Sequence, residues 1–342
     1  MRIAVTGASG FVGGRVARAL AAAGHTVLPY GRRPAAALRE PLPGYVAWDV
    51  TGGPIDAPAV HAVVHCAARV DDWGPESAFH AANVEGTRAV LATWPRAARV
   101  VYVSTSSVYS DGVRMVDVRE DAPTGDCALS AYARTKAAGE RLVLALGARG
   151  VVLRPHVVYG PGDTTLMPRV LAARWPRVRA TTYAGRWQVR RVVPVPDGGR
   201  HRLSSTHVDN LVHAIERALA VQDAHGAFNV ADAGAPRTAR ELLYRVLSDS
   251  GQPADVVSVP AAVAMRVAAA AEWTWRLAGA RRGPPITRYA VAQLSEEHTL
   301  DTTRAREVLG YRPRWKAGEG PLRDPGEIRT WTRVRIGPVS GD

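Results

Sequence analysis

Lysine is almost missing from this chain. Of its 44 basic residues only Lys136 and Lys316 are lysines, so 42 are arginines. Cysteine is as scarce: Cys66 and Cys127 are the only two in 342 residues, which excludes a disulfide scaffold and any multi-cysteine zinc site. No metal is expected. No stretch reaches the roughly 18 uncharged apolar residues of a membrane span, and the opening Met1-Arg2-Ile3-Ala4-Val5 lacks the basic-then-apolar order of a signal peptide. A soluble, cytoplasmic protein is the expectation. Apolar residues make up 46% and charged residues 22%, an ordinary globular balance that argues against disorder. The net charge of +13 raises nucleic-acid binding as a possible role. The arginines, however, are scattered apart from small clusters at Arg186/Arg190/Arg191 and Arg281/Arg282, so a solvated basic surface or an anionic small ligand fits better and no nucleic-acid partner is expected.

What is present is a rhythm. Ile3-Ala4-Val5, Thr26-Val27-Leu28, Ala62-Val63-Val64-His65, Arg99–Val103 and Val151-Val152-Leu153 read as short buried strands. Helical patterns separate them at Phe11–Ala23, about Ala81–Thr93 and Ser130–Leu146. Strands alternating with helices imply an α/β fold, a doubly wound parallel sheet covered on both faces. After Pro161 the alternation fails. A helix at Val208–Ala220 and a strand at Ala227–Val230 return to it, followed by helices at Thr238–Ser248 and Ala261–Leu277. The chain is therefore expected to divide into a dinucleotide-binding unit (1–165 with 204–232), a smaller interwoven C-terminal substrate unit (166–203 with 233–316) and a tail (317–342). The alanine-rich helix 261–277 suggests a membrane-surface element, but Arg266, Glu272 and Arg276 interrupt it, which favours ordinary packing.

Directly after the first strand stands Thr6-Gly7-Ala8-Ser9-Gly10-Phe11-Val12-Gly13, and then a helix. Gly7 permits a tight turn, Gly10 lets a pyrophosphate approach the backbone, and Gly13 lets the helix close on the strand. The free N–H groups of Phe11, Val12 and Gly13 at the helix start suit an anion. At the end of the second strand, where NAD-binding chains place a carboxylate for the ribose, this one has Arg32 and Arg33. A guanidinium can hold a ribose phosphate by two hydrogen bonds, so NADP(H) is favoured over NAD(H).

Tyr132 and Lys136 lie four apart on one face of a predicted helix. Bringing a phenol from its usual pKa of about 10 to about 7 takes roughly 4 kcal/mol of preferential phenolate stabilisation, which a nearby ammonium and an oxidised nicotinamide can supply. A lysine at this spacing in a chain built on arginine is a pointed choice. The fifth strand runs into Ser104-Thr105-Ser106-Ser107-Val108-Tyr109, hydroxyls at a strand's C-terminal end, where open α/β sheets bind ligands. One of them can hydrogen-bond a carbonyl oxygen; a serine-rich turn bonded to its own backbone is the alternative.

Together with Val64-His65-Cys66-Ala67-Ala68, Asn83-Val84-Glu85-Gly86-Thr87, Leu153-Arg154-Pro155 and Tyr159-Gly160-Pro161-Gly162-Asp163, these segments resemble the extended short-chain dehydrogenase/reductases, the NAD-dependent epimerase/dehydratase superfamily, over about residues 1–315. The resemblance implies a Rossmann sheet, Thr105 as the hydroxyl of a catalytic triad, Tyr132 as general acid/base, and Lys136 as its tuner and ribose ligand. It also implies that Asp49 and Val50 read adenine, that Ala67, Ala68 and Arg69 line the adenosine half, that Ser104 contacts the cofactor, and that Pro155 and His156 pass the nicotinamide. Helices 81–93 and 130–146 are placed as in relatives that form homodimers. Nucleotide-sugar enzymes of the family carry Asn where this chain has Val157, and its dehydratases follow the catalytic Thr with Asp-Glu rather than Ser106-Ser107. Val70–Gly74, Thr206–Asn210 and Pro284–Tyr289 resemble the 3β-hydroxysteroid dehydrogenase branch. The expected activity is hydride transfer between a nicotinamide and a ketone or secondary alcohol on an apolar cyclic or polyketide-like molecule. Trp73, Ser106, His156, Met167 and Trp187 are the candidate pocket residues, although the tryptophans suit core or dimer contacts equally. A sugar-nucleotide epimerase or ketoreductase, and a non-catalytic NADP sensor, are the alternatives. Ser110 stands where the family has Gly, and the basic stretch 179–195 meets either an acidic substrate group or solvent.

Overall fold

The computed structural model describes residues 1–38, 40–109, 115–125, 130–164, 180–183, 186–189, 191–249, 254–280 and 283–322, with backbone only for 180–183, 186–189, 191 and 254. Strands β1 (Arg2–Thr6), β2 (Thr26–Gly31), β3 (Val46–Ala47), β4 (Ala62–His65), β5 (Arg99–Val103), β6 (Met115–Val118), β7 (Gly150–Pro155) and β8 (Val158–Tyr159) make up its first half. They are followed by β9 (Ala180–Tyr183), β10 (Arg186–Val189), β11 (Arg191–Pro196), β12 (Arg202–Leu203), β13 (Thr206–His207), β14 (Gly226–Val230), β15 (Arg237–Thr238), β16 (Ala254–Val259) and β17 (His298–Leu300). The helices are α1 (Phe11–Ala22), α2 (Glu76–His80), α3 (Gly86–Thr93), α4 (Ala131–Leu144), α5 (Val208–Ala220), α6 (Ala239–Asp249), α7 (Ala261–Leu277), α8 (Arg288–Ser295) and α9 (Thr303–Val308).

Seven strands form one parallel sheet in the order β14-β7-β5-β4-β1-β2-β3. Its strands read as unbroken apolar runs because both faces are covered. Ile3, Val5, Val64, Val101, Val151 and Leu153 point to a core shared with Val16 and Leu20 of α1, Leu211 and Ile215 of α5, and Ala305 of α9. The alternate residues Ala4, Val63, Val100, Tyr102 and Val152 meet Val90 of α3 and Val143 of α4 on the other side. The doubly wound sheet expected from the strand–helix rhythm is what the chain forms.

The helix expected from about Ala81 begins five residues earlier, at Glu76. Pro75 precedes it at φ −67°, and Ala81–Glu85 wind as π-helix between α2 and α3. Beyond the main sheet, β15-β12-β17-β6 form a four-stranded sheet, and β11 pairs with β16. Helix α7 buries Ala264 and Ala268 against Val291 of α8.

Helix α4 is held to the sheet by a buried ion pair. Arg154 of β7 places Nε 3.1 Å from both Glu140 oxygens and Nη2 2.7 Å from Oε2, with the two side chains 4% and 2% exposed. The Glu140 charge and hydrogen bonds hold the Arg154 guanidinium's pKa up against the downward pull of its burial. Removing one partner strands the other charge in the interior. Glu140→Ala is therefore expected to lower unfolding stability by about 3–5 kcal/mol in urea titrations; a loss under about 1 kcal/mol would show that the pair does not anchor the helix.

Candidate active site

The first turn closes by steric necessity. Gly7 has φ +72°, and a Cβ there would lie 2.7 Å from the Ala67 nitrogen. A Cβ on Gly13 would lie 2.3 Å from the Gly7 carbonyl oxygen, so only glycine lets α1 press on the turn. Gly10, exposed, begins the helix with no side-chain cap and no acidic residue in the first turn. The N–H groups of Phe11, Val12 and Gly13 thus form an uncapped helix start beside a side-chain-free ledge, which fits a pyrophosphate. Ser9 sits against Gly31, where a Cβ would fall 2.6 Å from its Oγ. Arg32 and Arg33 are both exposed at the end of β2, and Arg33 Nη1 donates to the Ser9 carbonyl at 3.4 Å. Both arginines therefore stand at the end of β2, with Arg33 on the glycine turn.

A buried hydrogen-bonded chain ties that turn to α3 and α4. Thr6 Oγ1 lies 2.7 Å from His65 Nδ1, and His65 Nε2 lies 3.1 Å from Thr87 Oγ1. Thr87 donates to the Asn83 carbonyl at 2.7 Å, and Asn83 Nδ2 donates to Thr135 Oγ1 at 3.0 Å. Asn83 also accepts from the Arg69 N–H at 2.8 Å, fixing the Ala67-Ala68-Arg69 segment after β4. Burial, then the Lys136 charge, pushes His65 down to about 3, so it joins this chain as a neutral ring.

Lys136 is 1% exposed. Its Nζ donates to the Val103 carbonyl at 2.7 Å and lies 3.9 Å from the centre of the Tyr102 ring. Burial pulls its pKa from 10.5 to about 7, against the raising charge of Glu140. The same burial raises the Cys66 thiol to about 12, so it is no nucleophile. Burial first, then the Glu140 charge and in smaller part Tyr132, raise the pKa of Tyr102. Tyr132, one turn before Lys136, is half-buried. Ser130 caps the helix that carries both, accepting from the Ala133 N–H at 3.1 Å.

The hydroxyl turn at the end of β5 is buried. Thr105 is 9% exposed, accepts from the Ser107 N–H at 3.2 Å and donates to Ser107 Oγ at 3.2 Å. Ser106 Oγ lies 2.6 Å from His156 Nδ1. Burial, then the His298 charge, pushes His156 down to about 3, and its ring stacks on His298 at 5.7 Å. Two buried atoms here, Ser104 Oγ and His156 Nε2, have no hydrogen-bond partner among the described residues. An uncapped helix start with a side-chain-free ledge after β1, and unpaired polar atoms after β5 and β7 of the same parallel sheet, are what the two ends of a dinucleotide would satisfy, so the residues fit that group.

The structure gives the remaining expected residues the following contacts. Asp49 turns its carboxylate to Thr51, accepting from N at 3.0 Å and Oγ1 at 2.8 Å, while Val50 is buried against Gly86. Trp73 donates from Nε1 to the Ala280 carbonyl at 3.3 Å and lies under the Arg276 guanidinium. Met167 and Ser110 lie outside the described residues, as do the side chain of Trp187 and those of the basic stretch up to Arg191. Val157 has φ +40°, a left-handed conformation that strains a β-branched residue. Sequence reasoning missed Tyr289, whose hydroxyl is 2.9 Å from Ser107 Oγ, and His298. Among the described residues no group of three or more His, Cys, Asp or Glu side chains could hold a metal, and no helix is long and apolar enough to cross a membrane.

The model of the NAD dependent epimerase/dehydratase family matches residues 3–231. The chain belongs to that family. It is 33% identical over 336 residues to a 2-alkyl-3-oxoalkanoate reductase of Stenotrophomonas maltophilia, covering 94% of this chain and 97% of the relative. It is 33% identical to a 4-hydroxy-2-methyl-3-oxo-4-farnesyl-3,4-dihydroquinoline-1-oxide ketoreductase of Stigmatella aurantiaca, covering 91% and 92%. Identity to a 3-beta-hydroxysteroid dehydrogenase of Mycolicibacterium neoaurum is 27%, covering 91% and 87%. Among solved structures, MoeE5 in complex with UDP-glucose and NAD superposes with a TM-score of 0.67 at 25% identity, covering 94% of this chain and 96% of MoeE5. The chain is thus an extended short-chain dehydrogenase/reductase, an oxidoreductase that binds a nicotinamide cofactor, with 3β-hydroxysteroid dehydrogenases and ketone reductases among its relatives.

The depressed lysine pKa has a signed consequence. The folded chain favours the neutral amine, so the Lys136 contribution to stability is present above pH 10.5 and falls as the pH drops toward about 7. Lys136→Met removes that titration. Relative to wild type the variant is expected to gain stability as the pH falls from 10 to 7, by up to about 1.4 kcal/mol per pH unit in urea unfolding. A stability difference that stays constant over this window would contradict the desolvated amine.

Proposed function

We propose that this enzyme is an NADP(H)-dependent ketone reductase, or the reverse alcohol dehydrogenase, for an apolar cyclic or long-chain substrate. The observation that carries the proposal is Lys136: a fully buried amine, one helical turn from Tyr132, on a helix that packs beside the Thr105 turn. A bound nicotinamide would supply or accept the hydride. Thr105 then donates a hydrogen bond to the substrate oxygen, and Tyr132 delivers its proton to that oxygen as negative charge develops there. Lys136 lowers the cost of the resulting phenolate and would hold the cofactor ribose. Pro155 and His156 would border the nicotinamide, with His156 held neutral against Ser106.

Substrate class rests on what the site lacks as well as on its relatives. Val157 presents a branched hydrocarbon where an amide would grip a sugar diphosphate, and Ser106-Ser107 supply no acid or base for dehydration. The named activities of the two relatives at 33% identity are reductions of ketones bearing alkyl or isoprenoid groups. NADP(H) preference is supported by Arg32 and Arg33 at the end of β2 and by Arg33 lying on the phosphate turn. By resemblance we also propose a cytoplasmic homodimer that pairs through the helices around 81–93 and 131–144.

Tyr132→Phe is expected to lose at least about a hundredfold in turnover of ketones by NADPH while cofactor affinity, read by fluorescence titration, is kept. Normal turnover in that variant would overturn the acid/base assignment. Replacing both Arg32 and Arg33 by Ala is expected to weaken NADPH binding by about tenfold or more and leave NADH unchanged. Equal weakening of both would remove the basis for NADP(H) preference. Mass spectrometry of nucleotide released from the purified protein, followed by a ketone panel, separates the alternatives. An epimerase retains its cofactor and consumes none, and a sensor binds NADP without turnover.

A further inference from the structure

Three hydroxyls from two distant parts of the chain meet at the catalytic turn. Thr105 Oγ1 donates to Ser107 Oγ at 3.2 Å, and Ser107 Oγ is 2.9 Å from the hydroxyl of Tyr289, 182 residues away on α8. The turn is closed to bulk solvent, with Ser106 and Ser107 0% and 3% exposed. The start of α8 is clamped on both sides of the tyrosine's backbone. Thr287 caps the helix, accepting from the Ala290 N–H at 3.1 Å, and donates to Asp72 Oδ2 at 2.8 Å. The Arg288 N–H donates to Glu272 Oε1 at 2.7 Å, and its guanidinium to Oε2 at 3.0 Å. Tyr289 is thereby fixed in place and brings the C-terminal part of the chain to the hydroxyl turn.

A threonine hydroxyl has one hydrogen. In the structure, that hydrogen of Thr105 is committed to Ser107. To polarise a carbonyl it must swing to the substrate, and Thr105 Oγ1 can then accept a second hydrogen bond in addition to the one from the Ser107 N–H. Ser107 Oγ supplies it by turning its own hydrogen toward Thr105, provided something donates to Ser107 in return. The Tyr289 hydroxyl is placed to do so. We propose that Tyr289 is a positioning residue: it completes a one-way donor chain, Tyr289 to Ser107 to Thr105 to the substrate oxygen, that strengthens the Thr105 hydrogen bond as charge develops. Hydrogen bonds aligned head to tail polarise one another, most strongly where water is excluded. This proposal rests on the reading of Thr105 given above and adds to it the group that orients that hydroxyl.

The test uses the full chain with NADPH and an α-alkyl β-keto ester. Tyr289→Phe keeps the ring and removes only the hydroxyl. It is expected to lower kcat about tenfold, leave KM within about twofold and leave the melting temperature unchanged. In a Thr105→Ala background the same change is expected to alter kcat by less than about twofold, because the chain then ends before the substrate. The infrared carbonyl stretch of the keto ester bound with NADP+ is expected at lower frequency in wild type than in Tyr289→Phe, a readout that does not depend on turnover. Wild-type kcat and stretch in Tyr289→Phe, or an undiminished tenfold loss in the Thr105→Ala background, would overturn the positioning role while leaving the Thr105 assignment intact. Full turnover by Thr105→Ala alone would overturn both.

Discussion

The site depends on keeping one amine out of water. Lys136 lies against the Val103 carbonyl and the face of the Tyr102 ring, and burial pulls its pKa from 10.5 down to about 7. Left alone, a buried ammonium of this kind would lose its proton or its place. Glu140, one turn further along α4, raises its pKa, and Arg154 locks Glu140 to β7. The positions 132, 136 and 140 lie on one stripe of α4, and in the proposed mechanism they serve as proton donor, tuner, and the anchor that keeps the tuner buried. Negative charge arriving in the crevice favours the ammonium in the same way that Glu140 does.

Around that stripe the remaining parts are arranged by short-range sterics and buried hydrogen bonds. The Gly7 and Gly13 positions leave no room for a Cβ, which brings an uncapped helix start against the sheet. The Thr6–His65–Thr87–Asn83–Thr135 chain joins β1, β4, α3 and α4 through neutral groups that satisfy one another in the interior. Such a network specifies relative placement more than it adds stability. The C-terminal part enters through α8, whose first turn holds both the loop after β4, by Thr287 to Asp72, and the hydroxyl turn, by Tyr289 to Ser107. The C-terminal part of the chain and the loops that follow β4 and β5 thus share hydrogen bonds and do not merely abut.

Much of this was legible in the sequence because it is local. Strand–helix alternation followed from apolar runs of two-faced strands, and the glycine turn followed from where a side chain cannot stand. Tyr132 and Lys136 are neighbours on any helix drawn through them, and the scarcity of lysine made the second conspicuous. Tyr289, His298 and the Arg154–Glu140 pair were not legible in the same way, because each acts across a long stretch of chain. Glu140 alone carried a local signal, its spacing of four from Lys136. Trp73 suited a pocket wall and a packing contact equally in the sequence, and its partners at the end of α7 and at Ala280 are ones no local pattern reveals. The early start of the helix at Glu76 escaped notice because the π-helical residues Ala81–Glu85 shift the register of its apolar face.

The chain's two lysines make the central claim directly measurable. With carbon-13 at the lysine ε position, nuclear magnetic resonance of the cofactor-free protein shows one signal for Lys136 and one for Lys316, assigned by the Lys316→Arg variant. The account predicts that the Lys136 signal titrates near 7. If it titrates above about 10, as a solvated lysine does, the amine is not desolvated and the account of how the phenol is tuned is wrong.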